Sequence, residues 1–283
     1  MTGRLDKKLS GRRVLITGPA RGIGAALAKR LAAHGAHVGL AGLEPDLLEE
    51  VSAHCGGAPW RECSVTDLPG LRTAVEDIAG ALDGLDIVIA NAGIAAQLPL
   101  VGGDPEIFRR TMEVNLGGAY NTINAAAPHV AHKRGYFLLV SSLAAVINLP
   151  LVGAYSASKA GVEALGNTLR AELRPYGARV GVAYFGRIDT DMTSRGFGTQ
   201  AAHTLTSSSH LPAVAPLGSA ISALEKGIAR RSRVVAAPGH ARPLRYIKPV
   251  AQRVVDLAVR RNVPQALEVA RREHASLTTP QPD

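Results

Sequence analysis

The sequence predicts an α/β protein built on a doubly wound parallel sheet of about seven strands, with helices on both faces. Three observations predict this fold. Short apolar runs alternate with helical stretches along most of the chain, a glycine-rich turn follows the first run, and 283 residues with 46% hydrophobic content suit one large domain. Alternating strands and helices form right-handed βαβ units. Ligands bind such sheets at the carboxyl ends of the strands, so the residues that end each predicted strand matter most.

Short apolar runs bounded by turn residues are the predicted strands. They lie at 13–18, 37–42, 86–93, 135–142, 179–186 and 233–238. The predicted helices lie at 22–35, 45–55, 104–130, 152–175 and 217–231. Gly35 ends the first helix, and Pro45 is allowed in the first turn of the second.

Composition and charge exclude several classes of function. The net charge is +9, but no basic stripe with interleaved aromatic residues appears, so we do not expect nucleic-acid binding. Cys55 and Cys63 fit no metal or redox spacing, and two thiols form no disulfide framework, which favours a reducing cytoplasm. His34 and His37 lack a further ligand, so we expect surface roles for them and no metal site. The charged N-terminus has no apolar signal core, and no run of about 18 apolar residues exists.

A glycine-rich loop follows the first strand. Gly18, Gly22 and Gly24 have the spacing Gly-x-x-x-Gly-x-Gly, directly before an Ala-rich helix. Glycines let a backbone approach a pyrophosphate, whose charge is stabilised at a helix N-terminus. A plain tight turn is the alternative, and the position between strand and helix favours the phosphate site.

Tyr155 and Lys159 form a candidate proton-transfer pair in the stretch "GAYSASKAG". Residues four apart share one face of a helix. A phenol has a pKa of about 10, too high for easy proton exchange at neutral pH, and a nearby ammonium favours the phenolate. The alternative is a surface helix that merely carries a Tyr and a Lys.

Four motifs together resemble the short-chain dehydrogenase/reductase family. They are the glycine-rich loop, "NAG" at 91–93, "SS" at 141–142 and "YSASK" at 155–159. They occur in the family's order, and the resemblance covers about residues 10–238. It implies a single-domain Rossmann fold that binds NAD or NADP and moves a hydride between the nicotinamide and a carbonyl or alcohol.

The resemblance implies four catalytic residues. Tyr155 is the acid/base, and Lys159 tunes it and holds the nicotinamide ribose. Ser142 hydrogen-bonds the substrate oxygen, whereas Ser141 faces the opposite way along the strand. Asn115 holds a water beside the lysine, and its alternative role is a local backbone bond within its helix.

The resemblance also implies the cofactor contacts. They are Gly18, Arg21, Gly22, Ile23, Gly24, Gly42, Leu43, Ser64, Val65, Asn91, Ala92, Gly93, Tyr155, Lys159, Gly186, Ile188 and Thr190. Gly42 and Leu43 stand where NAD-preferring members carry an acid and NADP-preferring members often an arginine. We expect the following Glu44 to cap the helix that Pro45 opens. Arg21 can pair with a 2′-phosphate, which favours NADP over NAD.

Two further positions depart from the family pattern. Ser64 replaces an aspartate that contacts the adenine, and Phe185 replaces the proline before Gly186. Apolar residues near the predicted strand ends suggest a hydrophobic alcohol or ketone as substrate. The predicted substrate pocket is formed by Leu143, Leu149, Phe185 and Met192, with Phe197 also in the pocket or core.

Two regions interrupt the alternation of strands and helices. We expect residues 1–238 to form the Rossmann domain, with the polar stretch at about 187–216 as a substrate lid. Residues 239–283 are a basic C-terminal extension, predicted to be partly disordered. Within it, 241–262 has helical spacing and could lie on an anionic membrane. We favour a helix packed over the pocket or a partner subunit, and Pro249 argues against one continuous helix.

The sequence thus predicts an NAD(P)-dependent oxidoreductase that interconverts a secondary alcohol and a ketone or aldehyde. The alternatives are a catalytically idle dinucleotide sensor and an epimerase or dehydratase on the same fold. Helices 104–130 and 152–175 carry many small residues, and in the family they form a four-helix interface between subunits. We therefore expect a homodimer or homotetramer.

Overall fold

The computed structural model describes residues 2–207, 214–239, 243–244, 246–273 and 277–278. The strands are β1 Arg13–Thr17, β2 His37–Gly42, β3 Trp60–Glu62, β4 Ile87–Ala90, β5 Tyr136–Ser142, β6 Arg179–Phe185 and β7 Val234–Ala237. The helices are α1 Thr2–Leu9, α2 Gly22–Ala33, α3 Pro45–His54, α4 Leu68–Ala81, α5 Pro105–Met112, α6 Gly118–Ala126, α7 Gly153–Leu173, α8 Gln200–Thr206, α9 Leu217–Arg230, α10 Lys248–Val259 and α11 Val263–Arg272.

All seven strands form one parallel sheet in the order β3-β2-β1-β4-β5-β6-β7. The chain builds outward from β1 to β3 and then returns to the other side of β1 with β4. The order therefore reverses between β1 and β4, which opens a crevice at their carboxyl ends. The predicted doubly wound sheet is confirmed.

Strand residues alternate between the two faces of the sheet, and both faces are covered by helices. In β1, Val14 and Ile16 join a core with α2 and α9, whereas Leu15 joins the opposite core with α4, α6 and α7. All three side chains are completely buried. Burial on both faces explains why the strands are continuous apolar runs in the sequence.

Three elements of the first half were not predicted. The edge strand β3 is three residues long, and two of them, Arg61 and Glu62, are exposed. Helix α4 contains Pro69 and Gly70 in its first turn, and the Asp67 carboxylate accepts a hydrogen bond from the Gly70 N–H at 3.2 Å. The N-terminal helix α1 ends with Leu9, which is fully buried in the core.

The later helices differ in detail from the prediction. The stretch 104–130 forms α5 and α6, joined by one wider π-helical turn, Glu113–Gly117. Helix α10 begins at Lys248 with Pro249 in its first turn, so 241–262 is not one continuous helix. Its last residues pack with α8 and α11 around Leu205. Among the described residues, none of the helices is both long and apolar enough to cross a bilayer.

Candidate active site

The glycine-rich loop lies tightly against the end of β4. Gly18 has a φ of +64°, and a Cβ there would lie 2.7 Å from the Ala92 Cα. A Cβ on Gly24 would lie 2.3 Å from the Gly18 carbonyl oxygen. The Asn91 Nδ2 donates to that same oxygen at 2.9 Å and fixes the turn. No side chain caps the N-terminus of α2 at Arg21, so its first N–H groups face the crevice, as an anion site requires.

The predicted proton-transfer residues come together in the structure. Ser142 ends β5, and Tyr155 and Lys159 lie on the first turns of α7, which packs against β5. All three are buried. The Lys159 Nζ lies 5.7 Å from the centroid of the Tyr155 ring and donates to the Val140 carbonyl oxygen at 3.1 Å. The Ser142 hydroxyl donates to the Phe185 carbonyl oxygen at 3.2 Å.

Burial dominates the acid–base properties of this pair. It raises the pKa of Tyr155, and a hydrogen bond with Ser142 acts in the opposite direction. It lowers the pKa of Lys159 to about 8. The sequence predicts that Lys159 lowers the pKa of Tyr155, but in the ligand-free chain Ser142 is the group that does so. The reason is desolvation, which disfavours the charged form of both side chains.

Ser141 also lines the cavity, but its hydroxyl is directed at the backbone of α7. Its hydroxyl donates to the Lys159 carbonyl oxygen at 2.8 Å and thereby attaches α7 to β5. The two neighbouring hydroxyls therefore point to different elements, that of Ser142 to the end of β6 and that of Ser141 to α7.

Asn115 lies in the π-helical turn between α5 and α6. Its Oδ1 accepts from the Ile94 N–H at 2.8 Å, and its Nδ2 donates to the Ile94 carbonyl oxygen at 3.0 Å and to the Ser158 Oγ at 3.0 Å. A Cβ on Gly93 would lie 3.1 Å from both the Asn115 Oδ1 and the Lys159 Nζ. Asn115 thus joins the segment after β4 to α7 beside Lys159, instead of making the local helix bond considered as its alternative.

One continuous cavity of about 960 Å³ opens at the carboxyl ends of the strands. Every residue predicted to contact the cofactor lines it, with the exception of Ser64. The Ser64 Oγ lies 2.7 Å from the Thr66 Oγ1 and accepts from the Thr66 N–H at 3.2 Å. Its neighbours Cys63 and Val65 line the cavity in its place.

Arg21 and Glu44 form an ion pair on the rim of the cavity. The Arg21 Nε donates to the Glu44 Oε2 at 3.0 Å, a second contact joins Nη2 to Oε1, and the Asp191 carboxylate lies 3.6 Å from Nη1. The hydrogen bonds to Glu44 raise the pKa of Arg21. Glu44 occupies the N-cap position of α3 as expected, but its side chain makes no capping hydrogen bond. The carboxylate turns to the guanidinium of the glycine-rich loop.

The apolar part of the cavity contains the four predicted substrate-pocket residues. They are Leu143, Leu149, Phe185 and Met192. Phe197, in the stretch predicted as a lid, places its ring edge-on to Tyr155, with the ring centroids 5.2 Å apart and the planes at 77°. Aromatic pairs favour this arrangement. Phe197 therefore packs directly against the Tyr155 ring.

The C-terminal extension contributes two unpredicted residues, Leu277 and Thr278, and it places α10 beside the cavity, one of the two arrangements expected for 241–262. Thr278 lines the cavity, and its Oγ1 accepts from the Ala95 N–H at 3.0 Å while its own N–H donates to the Ala95 carbonyl oxygen at 3.1 Å. Leu277 packs beside it against Ile94 and Leu98. No motif signals these contacts, since the last residues have no apolar periodicity. Three residues of α10 also line the cavity: Val254, Val255 and Ala258.

Comparison with known proteins agrees with this geometry. Residues 12–208 match the family described as short chain dehydrogenase. The chain is 34% identical, over 69% of its length and 80% of the relative, to a trans-4-hydroxycyclohexanecarboxylate dehydrogenase of Sinomonas cyclohexanicum. It is 32% identical, over 66% of its length and 65% of the relative, to a fatty acyl-CoA reductase of Acinetobacter baylyi. An uncharacterized oxidoreductase of Myxococcus xanthus is 31% identical over 90% of this chain and 98% of its own. The chain belongs to the short-chain dehydrogenase/reductase family.

Proposed function

We propose that the protein is an NAD(P)-dependent oxidoreductase that interconverts a secondary alcohol and a ketone or aldehyde. One observation carries the proposal. The buried group of Ser142, Tyr155 and Lys159 opens into the same cavity as the glycine-rich loop. A dinucleotide held on the loop and a carbonyl held at the tyrosine would therefore meet in one enclosed space.

The residues present fit a dinucleotide. Side chains at Gly18 and Gly24 would collide with neighbouring backbone, so the loop leaves its surface bare for phosphates. Asn91 and Gly93 would flank the adenosine half, and Ile188 and Thr190 the nicotinamide half. The bound cofactor supplies or accepts the hydride. Lys159 has three N–H donors, of which one is used by Val140, and the others can bind ribose hydroxyls.

Tyr155 performs the proton transfer in this proposal. Its raised pKa keeps the phenol protonated at neutral pH, so the hydroxyl can donate a proton to a carbonyl oxygen as the carbon is reduced. The Ser142 hydroxyl can turn to the same oxygen and hold it near the phenol. Lys159, with a pKa of about 8, is still mainly an ammonium at neutral pH and stabilises the phenolate that remains.

Arg21 and Glu44 would govern the choice between NAD and NADP. Arg21 is the residue that favours NADP, because a guanidinium binds phosphate in a bidentate manner. Glu44 opposes it, since its carboxylate already occupies the guanidinium and would repel a 2′-phosphate. We therefore propose NAD(P) as the cofactor, with Arg21 tending towards NADP to the extent that Glu44 releases it.

The cavity favours a hydrophobic substrate. Leu143, Leu149, Met192 and Phe197 surround the approach to Tyr155. The name of the relative from Sinomonas cyclohexanicum describes a cyclohexane ring that carries both a hydroxyl and a carboxylate. We propose a small alcohol or ketone whose reacting group lies on a mainly apolar body such as that ring. An idle sensor would not need the buried proton-transfer group, and an epimerase or dehydratase remains the second candidate on this fold.

We further propose that the protein is a homodimer or homotetramer. Phe108 on α5 and Tyr120 on α6 are 39% and 52% exposed, and Ala164 on α7 is exposed as well. These helices are the ones expected to pair between subunits. The thiols of Cys55 and Cys63 are free, in keeping with the cytoplasmic location proposed from the sequence.

The test is the conservative variant Tyr155→Phe, assayed with both cofactors and a panel of hydrophobic cyclic ketones. Turnover should fall about a hundredfold or more, because the proton donor is lost, while cofactor binding is retained. Tyr176→Phe is the matched control, since Tyr176 is 57% exposed and remote from the cavity. Wild-type turnover in Tyr155→Phe would refute the assignment, and failure of the wild type to bind either dinucleotide would refute the function.

A further inference from the structure

Helix α10 and the two residues before it expose a stripe of large apolar side chains. Tyr246, Ile247, Val250, Val254 and Leu257 are between 48% and 82% exposed. From Ile247 onward they are spaced three to four residues apart, which places them on one face of the helix, and Tyr246 directly precedes Ile247. They account for five of the eleven large apolar side chains most exposed in the described part of the chain. We call them the α10 stripe.

The α10 stripe continues into the active-site cavity. On the inner face of the helix, Ala251 and Val259 are buried, and Val259 packs with α8 and α11. Val254, Val255 and Ala258 line the cavity that also contains Tyr155. Val254 belongs to both the stripe and the lining. The exposed stripe and the apolar lining of the cavity therefore meet at Val254.

Positive charge accompanies the stripe. Arg253 and Arg260 lie along one side of it, and Arg261 follows the end of the helix in line with it. All three are exposed, and in the described part of the chain no carboxylate lies within salt-bridge distance of them. The acidic residue on α10, Asp256, accepts a hydrogen bond from Gln252 at 2.8 Å.

The helix is firmly attached through its inner side. Gln252 accepts from the Asn148 N–H at 2.7 Å and donates to the Asn148 carbonyl oxygen at 2.8 Å. The Lys248 Nζ donates to the Ala145 carbonyl oxygen at 3.1 Å. These bonds fix which face of α10 points outward. The outward orientation of the α10 stripe is therefore fixed by the fold.

We propose that the α10 stripe docks on an anionic lipid bilayer, so that apolar substrate passes from the lipid into the cavity beside Val254. An exposed apolar face bordered by arginines is the arrangement of helices that lie in the interface of anionic membranes. A second copy of the chain fits less well, since a two-fold contact through this face would bring the same arginines together. The substrate route rests on the proposed function, whereas the docking itself does not.

Co-sedimentation with lipid vesicles tests the docking without any turnover. The wild type should partition onto phosphatidylcholine vesicles that contain about 30% phosphatidylglycerol, and at least about tenfold less onto pure phosphatidylcholine. Raising the salt concentration should weaken the binding, because the arginines act through screened charge. Absence of binding to the anionic vesicles would overturn the proposal, whatever the enzyme assay shows.

Paired variants locate the docking surface. The double variant V250D/L257D should lower the partition coefficient about tenfold or more, because charge is placed within the apolar stripe. Neither residue lines the cavity, so turnover of a water-soluble ketone should be unchanged. The matched control L100D/V101D changes two side chains that are 71% and 79% exposed elsewhere, and it should bind like the wild type. Equal loss in both variants would overturn the assignment, as would a fall in molar mass by light scattering for V250D/L257D alone, which indicates a second copy.

Discussion

Replacing Lys159 by methionine should stabilise the ligand-free protein at neutral pH while abolishing its activity. The ammonium is 3% exposed, and among the described residues no carboxylate pairs with it. Its pKa falls from 10.5 to about 8 on burial, so the folded protein holds the charged form at a cost. This lower pKa corresponds to a cost of about 3 kcal/mol for holding the buried ammonium. Methionine also removes the hydrogen bond to Val140, which costs about 1 kcal/mol, so we expect a net gain of about 2 kcal/mol.

The stability difference between Lys159→Met and the wild type should depend on pH. The pKa of Lys159 is lower in the folded state than in the unfolded state, so the folded wild type binds fewer protons between about pH 8 and pH 10. The free energy of unfolding of the wild type therefore rises with pH over this range. Below about pH 8 the folded wild type bears the full cost of burying the Lys159 ammonium. Lys159→Met has no such pH-dependent contribution, so its greater free energy of unfolding relative to the wild type should disappear by about pH 10.

Urea unfolding of the ligand-free protein at neutral pH and at about pH 10, at one fixed protein concentration, measures both quantities. Lys226→Met is the control, since Lys226 is exposed on α9 and its loss should change stability by less than about 0.5 kcal/mol at either pH. A variant that is less stable than the wild type at neutral pH, or whose difference from it does not change with pH, would refute the reasoning.

Three further predictions concern cofactor choice, the tyrosine and assembly. Arg21→Ala should weaken NADP binding more than NAD binding, and Glu44→Gln should raise NADP affinity about tenfold, because the guanidinium is released for a phosphate. Fluorescence titration with both cofactors measures these affinities. Wild-type binding of NAD at least about tenfold tighter than NADP would contradict the preference for NADP. Phe197→Ala should lower kcat/KM about tenfold, because Tyr155 loses its ring partner, while cofactor affinity stays unchanged; an unaltered kcat/KM would remove Phe197 from the mechanism. Ala164→Glu should reduce molar mass and activity together, and a fully active wild-type monomer in light scattering at micromolar concentration would contradict the shared interface.

The sequence predicts most of the sheet because burial on both faces leaves a visible pattern. Runs such as Arg13–Thr17 and Tyr136–Ser142 are uniformly apolar apart from their ends, and each is a strand in the structure. The edge strand Trp60–Glu62 has only one neighbour and two exposed residues, so it carries no such pattern. Helix propensity likewise does not predict α4, because its first turn contains a proline and a glycine.

The juxtaposition of Tyr155 and Lys159 is predictable because it is local. Tyr155 and Lys159 are one helical turn apart, and that spacing alone puts them on one face. Contacts between residues far apart in the sequence produce no comparable local spacing pattern. The pairing of Arg21 with Glu44 joins residues 23 apart, and nothing in the local pattern distinguishes it from a helix cap. His34, expected at the surface, is buried because its ring lies against Asp6 on α1 and the nearly buried Glu225 on α9.

The segment after β4 connects Asn115 to the C-terminal extension. Asn115 binds both backbone groups of Ile94, and the next residue, Ala95, is bound through both of its backbone groups by Thr278. Ile94 and Ala95 are buried, so each unpaired backbone group would cost free energy. The segment beside Lys159 is therefore held from one side by Asn115 and from the other by Thr278. The C-terminal extension thus meets the cavity in two places, through Thr278 and through Val254, Val255 and Ala258 of α10.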